Sequence, residues 1–116
     1  MATADSKLVP WPEEKREVTV EISVEGDKIQ VEVEGEQKPF WVSKQANQEV
    51  RWILKGGGKF LVDFGDDSPF YESQFSQDSP VSGLVRRDIL PNESRLYEYT
   101  VWVGKLKKDP GGGVSQ

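Results

Sequence analysis

From Glu17 the chain alternates between apolar and polar positions with a period of two. Val18, Val20, Ile22 and Val24 alternate with Glu17, Thr19, Glu21 and Ser23, which predicts a strand with one dry face and one wet face. Glu25-Gly26-Asp27-Lys28 is turn chemistry, with Gly26 free to take positive φ. Ile29, Val31 and Val33 then alternate with Gln30, Glu32 and Glu34, so the first reading is a β-hairpin. The same two strands divided between the sheets of a sandwich would carry the same pattern.

The pattern breaks over Gly35 to Pro39 and resumes at Phe40-Trp41-Val42-Ser43. Asn47 to Lys55 predicts a strand with Val50, Trp52 and Leu54 on one side, and Gly56-Gly57-Gly58 a flexible turn. Lys59 to Phe64 offers Phe60, Val62 and Phe64 inward. Residues 65–80 read as a long loop with one helical turn near Ser68-Pro69, where proline suits a first helical position. A short strand over Gly83 to Leu90 is interrupted by Arg86-Arg87, and Pro91-Asn92-Glu93-Ser94 turns the chain. Arg95 to Val103 reads as one strand, with Tyr97, Tyr99, Val101 and Val103 facing one way. About seven short strands, regular turns and no amphipathic helix predict an all-β antiparallel Greek-key β-sandwich. Val18, Val20, Ile22, Val31, Val33, Val50, Trp52, Phe64, Tyr99 and Val101 are its expected core.

Flanking segments complete the division. Residues 1–16 read as an arm around Pro10-Trp11-Pro12, 17–104 as the sandwich, and 105–116, with Asp109-Pro110-Gly111-Gly112-Gly113, as a flexible tail. At 116 residues the chain has the size of one domain.

Composition narrows the chemistry. There is no Cys, so no disulfide or thiolate site, and no His, which removes the commonest general base and transition-metal ligand. The net charge of −5 disfavours a nucleic-acid partner. No apolar run reaches membrane-spanning length. Met1-Ala-Thr-Ala-Asp5 opens without the apolar segment of a signal peptide, which fits a cytoplasmic protein; a periplasmic or secreted one would have lost its leader.

Val50-Arg51-Trp52 followed by a Gly-rich turn, and Tyr97-Glu98-Tyr99-Thr100-Val101 further on, resemble the cupredoxin-like sandwich. Val62-Asp63-Phe64, Ser68-Pro69-Phe70 and Asp109-Pro110 look more specifically like small uncharacterised bacterial proteins of that fold. The resemblance covers roughly residues 17–110. It implies copper ligands near Phe60, at Val101 and over Lys107, Lys108 and Asp109, yet none of these is Cys, His or Met. Type 1 copper needs a thiolate with two imidazoles, so the expectation is a copper-free member with no cofactor.

Other groupings carry bland explanations. Asp63, Asp66, Asp67 and Glu72 surround Gly65 and invite a hard cation, but their spacing is not the helix-loop-helix calcium pattern, and solvated loop carboxylates explain them. Asp63-Phe64-Gly65 matches a kinase tripeptide without the rest of the kinase motifs, and Gly56-Gly57-Gly58-Lys59 lacks phosphate-loop spacing. Asn92-Glu93-Ser94 matches a glycosylation sequon, meaningful only in a eukaryotic secretory chain. No Ser has a His to activate it.

What remains is surface. Glu17 to Glu36 carry seven acids and one base, with Glu21, Glu32 and Glu34 among them. Such a face keeps a sheet soluble, or docks a basic partner. Arg86, Arg87, Arg95, Lys105, Lys107 and Lys108 follow in the second half, so head-to-tail self-association becomes conceivable if they share a face. Trp41 and Trp102 both fall opposite the apolar side of their strands. The expectation is a non-enzymatic module that binds another protein, with Trp102 serving the partner and Trp41 covered by the arm or tail. The alternative is a small carbohydrate-binding sandwich using outward aromatics.

Overall fold

The predicted hairpin forms: β1 (Glu17–Glu25) pairs antiparallel with β2 (Lys28–Val33), placing Val20 opposite Val33 and Ile22 opposite Val31. The computed structural model describes residues 17–89 and 94–115. The expected arm with Trp11, and most of the turn at Pro91, lie outside these residues. In the two-residue loop that closes the hairpin, Gly26 takes φ 63°, at the first central position that type II′ turns reserve for glycine.

Eight further strands follow among the described residues, and no helix. They are β3 (Phe40–Ser43), β4 (Glu49–Leu54), β5 (Leu61–Asp63), β6 (Gln74–Ser76), β7 (Arg95–Tyr97), β8 (Thr100–Val103), β9 (Leu106–Lys108) and β10 (Gly112–Ser115). Three small sheets result, ordered β2-β1-β4, β3-β10-β7 and β6-β5-β8-β9. Over the described residues the chain is therefore all-β, with ten strands where about seven were expected. Nor is it wholly antiparallel, since β1 runs parallel to β4 and β3 parallel to β10. Alternation reports which side of a strand is dry; it carries nothing about direction or neighbour.

All three sheets face one core. Nine of the ten expected core residues are buried, and Val18 packs half-buried against them. At the centre, Trp52 stacks on Phe75 at 5.1 Å and Phe64 on Tyr99 at 4.8 Å, with Phe40 and Phe70 edge-on or tilted around them. Each such pair contributes roughly 0.5–1.5 kcal/mol beyond its buried area. Burial pushes the Tyr99 phenol far above the ordinary tyrosine range, opposed in part by the N–H that Trp52 donates to it at 3.4 Å. The outer edge of β4 is closed by residues 80–82: Trp52 donates its amide to Pro80, and Ser82 exchanges two bonds with Val50.

Four local expectations are corrected. Ser68-Pro69 starts no helical turn; Ser68, Pro69 and Phe70 are buried, and the Ser68 hydroxyl donates to the Glu72 carbonyl at 2.7 Å. The loop they begin also contains β6. Gly83 to Ile89 forms only an isolated bridge, Val85 to Phe70, because Gly83 turns the chain at φ 75°. Arg95 to Val103 is two strands in two sheets, β7 and β8, although Tyr97, Tyr99 and Val101 keep their alternation and are all buried. Finally, residues 105–116 are no mobile tail over their described part. β9 extends one sheet, and β10 inserts between β3 and β7 with Gly112, Gly113 and Val114 buried.

Candidate binding groove

The strand directions bring four turns to one end of the molecule. β1 runs parallel to β4, so the Gly26-Asp27 turn lies at the same end as residues 55–60. β5 leaves that end antiparallel to β6 and β8, which return to it at Gln77 and at Gly104-Lys105. The Lys55 amide donates to the Ile22 carbonyl at 2.7 Å and ties two of these turns together. Loops gathered at one end of a β-fold are where such folds place recognition.

Trp102 stands in the outer row of its sheet. Across the strands the row reads Ser76, Leu61, Trp102 and Lys107. The indole is 36% exposed and the Lys107 ammonium lies 5.5 Å from its centre, a cation–π contact of about 0.5–1 kcal/mol at an exposed site. Trp102, Phe60, Leu61, Ser76 and Gln77 line an open groove of about 460 Å³. It adjoins a second hollow of about 590 Å³ lined by Ile53, Leu54 and Pro80, and the two share Lys59, Phe60 and Gln77. The shared floor is pinned where the Phe60 amide donates to the Gln77 side-chain oxygen at 3.0 Å. The result is an apolar channel with a polar waist.

Trp41 is differently placed. It projects outward from β3 at 45% exposure, in one row with Gly113 and Leu96. A Cβ on Gly113 would lie 2.4 Å from its six-membered ring, so the indole lies flat over the glycine. Inside the sheet Phe40 does the same to Gly112, where a Cβ would lie 2.0 Å from the ring. Glycine weakens a strand by leaving nothing to pack, and an aromatic neighbour across the ladder restores that contact. The Trp41 ring thus packs on β10, while the arm expected to share its cover lies outside the described residues.

The remaining candidates scatter. Glu21 and Glu32 face each other directly across β1 and β2, a like-charge pair on the outer face of that sheet. Glu34 sits in the next turn at φ 54° and pairs with Lys38 at 3.3 Å. Arg86 pairs with Asp88 at 3.5 Å, while the Arg87 amide donates to the Tyr71 hydroxyl at 3.0 Å beside a separate hollow of about 330 Å³. Arg86 and Arg87 therefore share no groove with Trp102. Asp63 accepts the Gly65 amide at 2.8 Å and Asp67 pairs with Arg95. Among the described residues no three such groups converge to hold a metal ion.

Sequence reasoning found Trp102 but missed Phe60, Leu61 and Gln77 beside it. The alternation reads Phe60 as a core residue, and nothing in the pattern joins residue 60 to residue 77. No protein-family model, curated protein or solved structure matches the chain. No helix among the described residues is long and apolar enough to cross a membrane.

Proposed function

We propose that this chain is a non-catalytic binding module, a copper-free Greek-key sandwich of cupredoxin-like type, that engages another protein through the groove at Trp102. The observation that carries the reading is a half-exposed indole over an apolar channel with a polar rim, the composition of a protein-docking centre. The absence of His and Cys supports the non-catalytic part, since neither a common general base nor a thiolate nucleophile is available. Immobilised full-length protein is expected to retain a partner from native lysate, and Trp102→Ala to lose it. Equal retention by both proteins overturns the reading.

One observation favours the carbohydrate alternative. Gln74, Asp63 and Thr100 form the next outer row beside Trp102, and such polar groups beside a ring suit a sugar. Against it, Lys107 already lies over that indole. Titration with soluble oligosaccharides, followed by tryptophan emission, separates the two readings.

A further inference from the structure

The end of the molecule that holds the groove carries two opposite charges that do not neutralise each other. Lys59 lines both halves of the channel, Lys107 lies on the indole, and Lys105 follows Gly104 at the mouth. Among the described residues, none of the three has a carboxylate within ion-pairing distance. The β1–β2 hairpin reaches the same end. β4 pairs with β1 only as far as Ile22, opposite Leu54, so beyond that point β1 pairs only with β2, which packs against β9. This tip presents Val24 at 40% exposure next to Glu25, with Asp27 in the turn that follows; both acids are exposed and belong to a hairpin rich in acids. Lys28 stands opposite Glu25 in the register, yet neither acid has a cation within ion-pairing distance among the described residues, and the tip keeps two acids against one base.

An apolar residue followed by two acids therefore stands at the same end as an apolar channel that carries Lys59, Lys105 and Lys107 against one lining acid, Asp78. A surface with both halves of a complementary pair is satisfied when a second copy is turned by a two-fold rotation, because each tip then meets the other's groove. We propose that the occupant of the Trp102 groove is the β1–β2 hairpin tip of a second copy, giving an end-to-end two-fold dimer. This rests on the reading of the groove as a docking site and names its partner.

Sedimentation velocity of the full chain over a wide range of loading concentrations tests it. The wild type is expected to pass from monomer to dimer, and to return to monomer at roughly 1 M salt, where the screening length falls to about 3 Å. Two charge-reversed proteins, Glu25→Lys with Asp27→Lys and Lys59→Glu with Lys105→Glu, should each dimerise at least tenfold more weakly. Mixed together they should form a dimer again, since each reversed tip meets a reversed groove; recovery also shows that both are folded. A wild type that stays monomeric throughout overturns the proposal, as does a dimer indifferent to both reversals, or growth into longer oligomers. A monomeric wild type whose lysate partner is still lost in Trp102→Ala would sink this inference and leave the groove reading standing.

Discussion

Among the described residues two tryptophans reach the surface, and their backing differs. Trp41 lies on Gly113 of the inserted strand β10, where its ring fills the space that a glycine leaves empty. Trp102 lies between Leu61 and Lys107, whose side chains are complete without it, above an open channel. Exposure ranks them in the opposite order, 45% for Trp41 and 36% for Trp102. The contrast teaches that an outward aromatic is assigned by what it covers. One ring completes a sheet, and the other completes a groove.

The largest effect that would sharpen this contrast lies under the partner ring inside the sheet. Gly112→Ala drives a methyl group into buried Phe40, which has no room to swing away, and should cost about 3 kcal/mol in urea unfolding. Gly113→Ala should cost less, about 1–2 kcal/mol, because half-exposed Trp41 can tilt outward. Combining it with Trp41→Ala should return about 1 kcal/mol relative to additivity, and strict additivity would show that the ring and the glycine are not coupled.

Alkaline titration probes the aromatic core that the Trp41 sheet encloses. Because burial raises the Tyr99 pKa, the phenol stays neutral in the fold where an unfolded tyrosine ionises. Its contribution is complete below about pH 10 and is lost as pH rises further, with a slope of up to about 1.4 kcal/mol per pH unit. Tyr99→Phe should flatten that part of the stability profile; an unchanged profile would place the loss elsewhere.

The smallest effect belongs to the end opposite the groove. Val33 and Glu36 exchange both backbone bonds around Glu34-Gly35, with positive φ at both turn residues, a geometry that favours Asn over Glu at the first. Glu34→Asn should stabilise by about 0.5 kcal/mol, net of a weak exposed pair with Lys38. Docking at Trp102 should be unaffected, and a change there would break the separation between the two ends.

The core was legible because a period of two survives whatever a strand pairs with: Val20, Ile22, Val31, Val33, Val50 and Trp52 are buried as their alternation requires. The same period hid the sheet switch between Tyr97 and Thr100, since a chain that crosses between sheets over one core keeps its dry side. β10 was illegible for another reason. Gly112 and Gly113 read as linker, and their role in a sheet depends on rings some 70 residues earlier in the chain. Of the groove, only Trp102 could be found, because Lys59, Phe60 and Gln77 meet through strand pairing that single runs do not encode.

Urea unfolding of Trp41→Ala and Trp102→Ala, measured side by side, separates a ring that completes a sheet from one that completes a groove. Buried area alone ranks Trp102→Ala as the more costly, at roughly 25 cal/mol for each Å² of apolar surface. The reverse is expected, with Trp41→Ala losing about 2–3 kcal/mol because it also strips the cover from Gly113, and Trp102→Ala losing about 1 kcal/mol. A Trp102→Ala protein destabilised more than Trp41→Ala would contradict it.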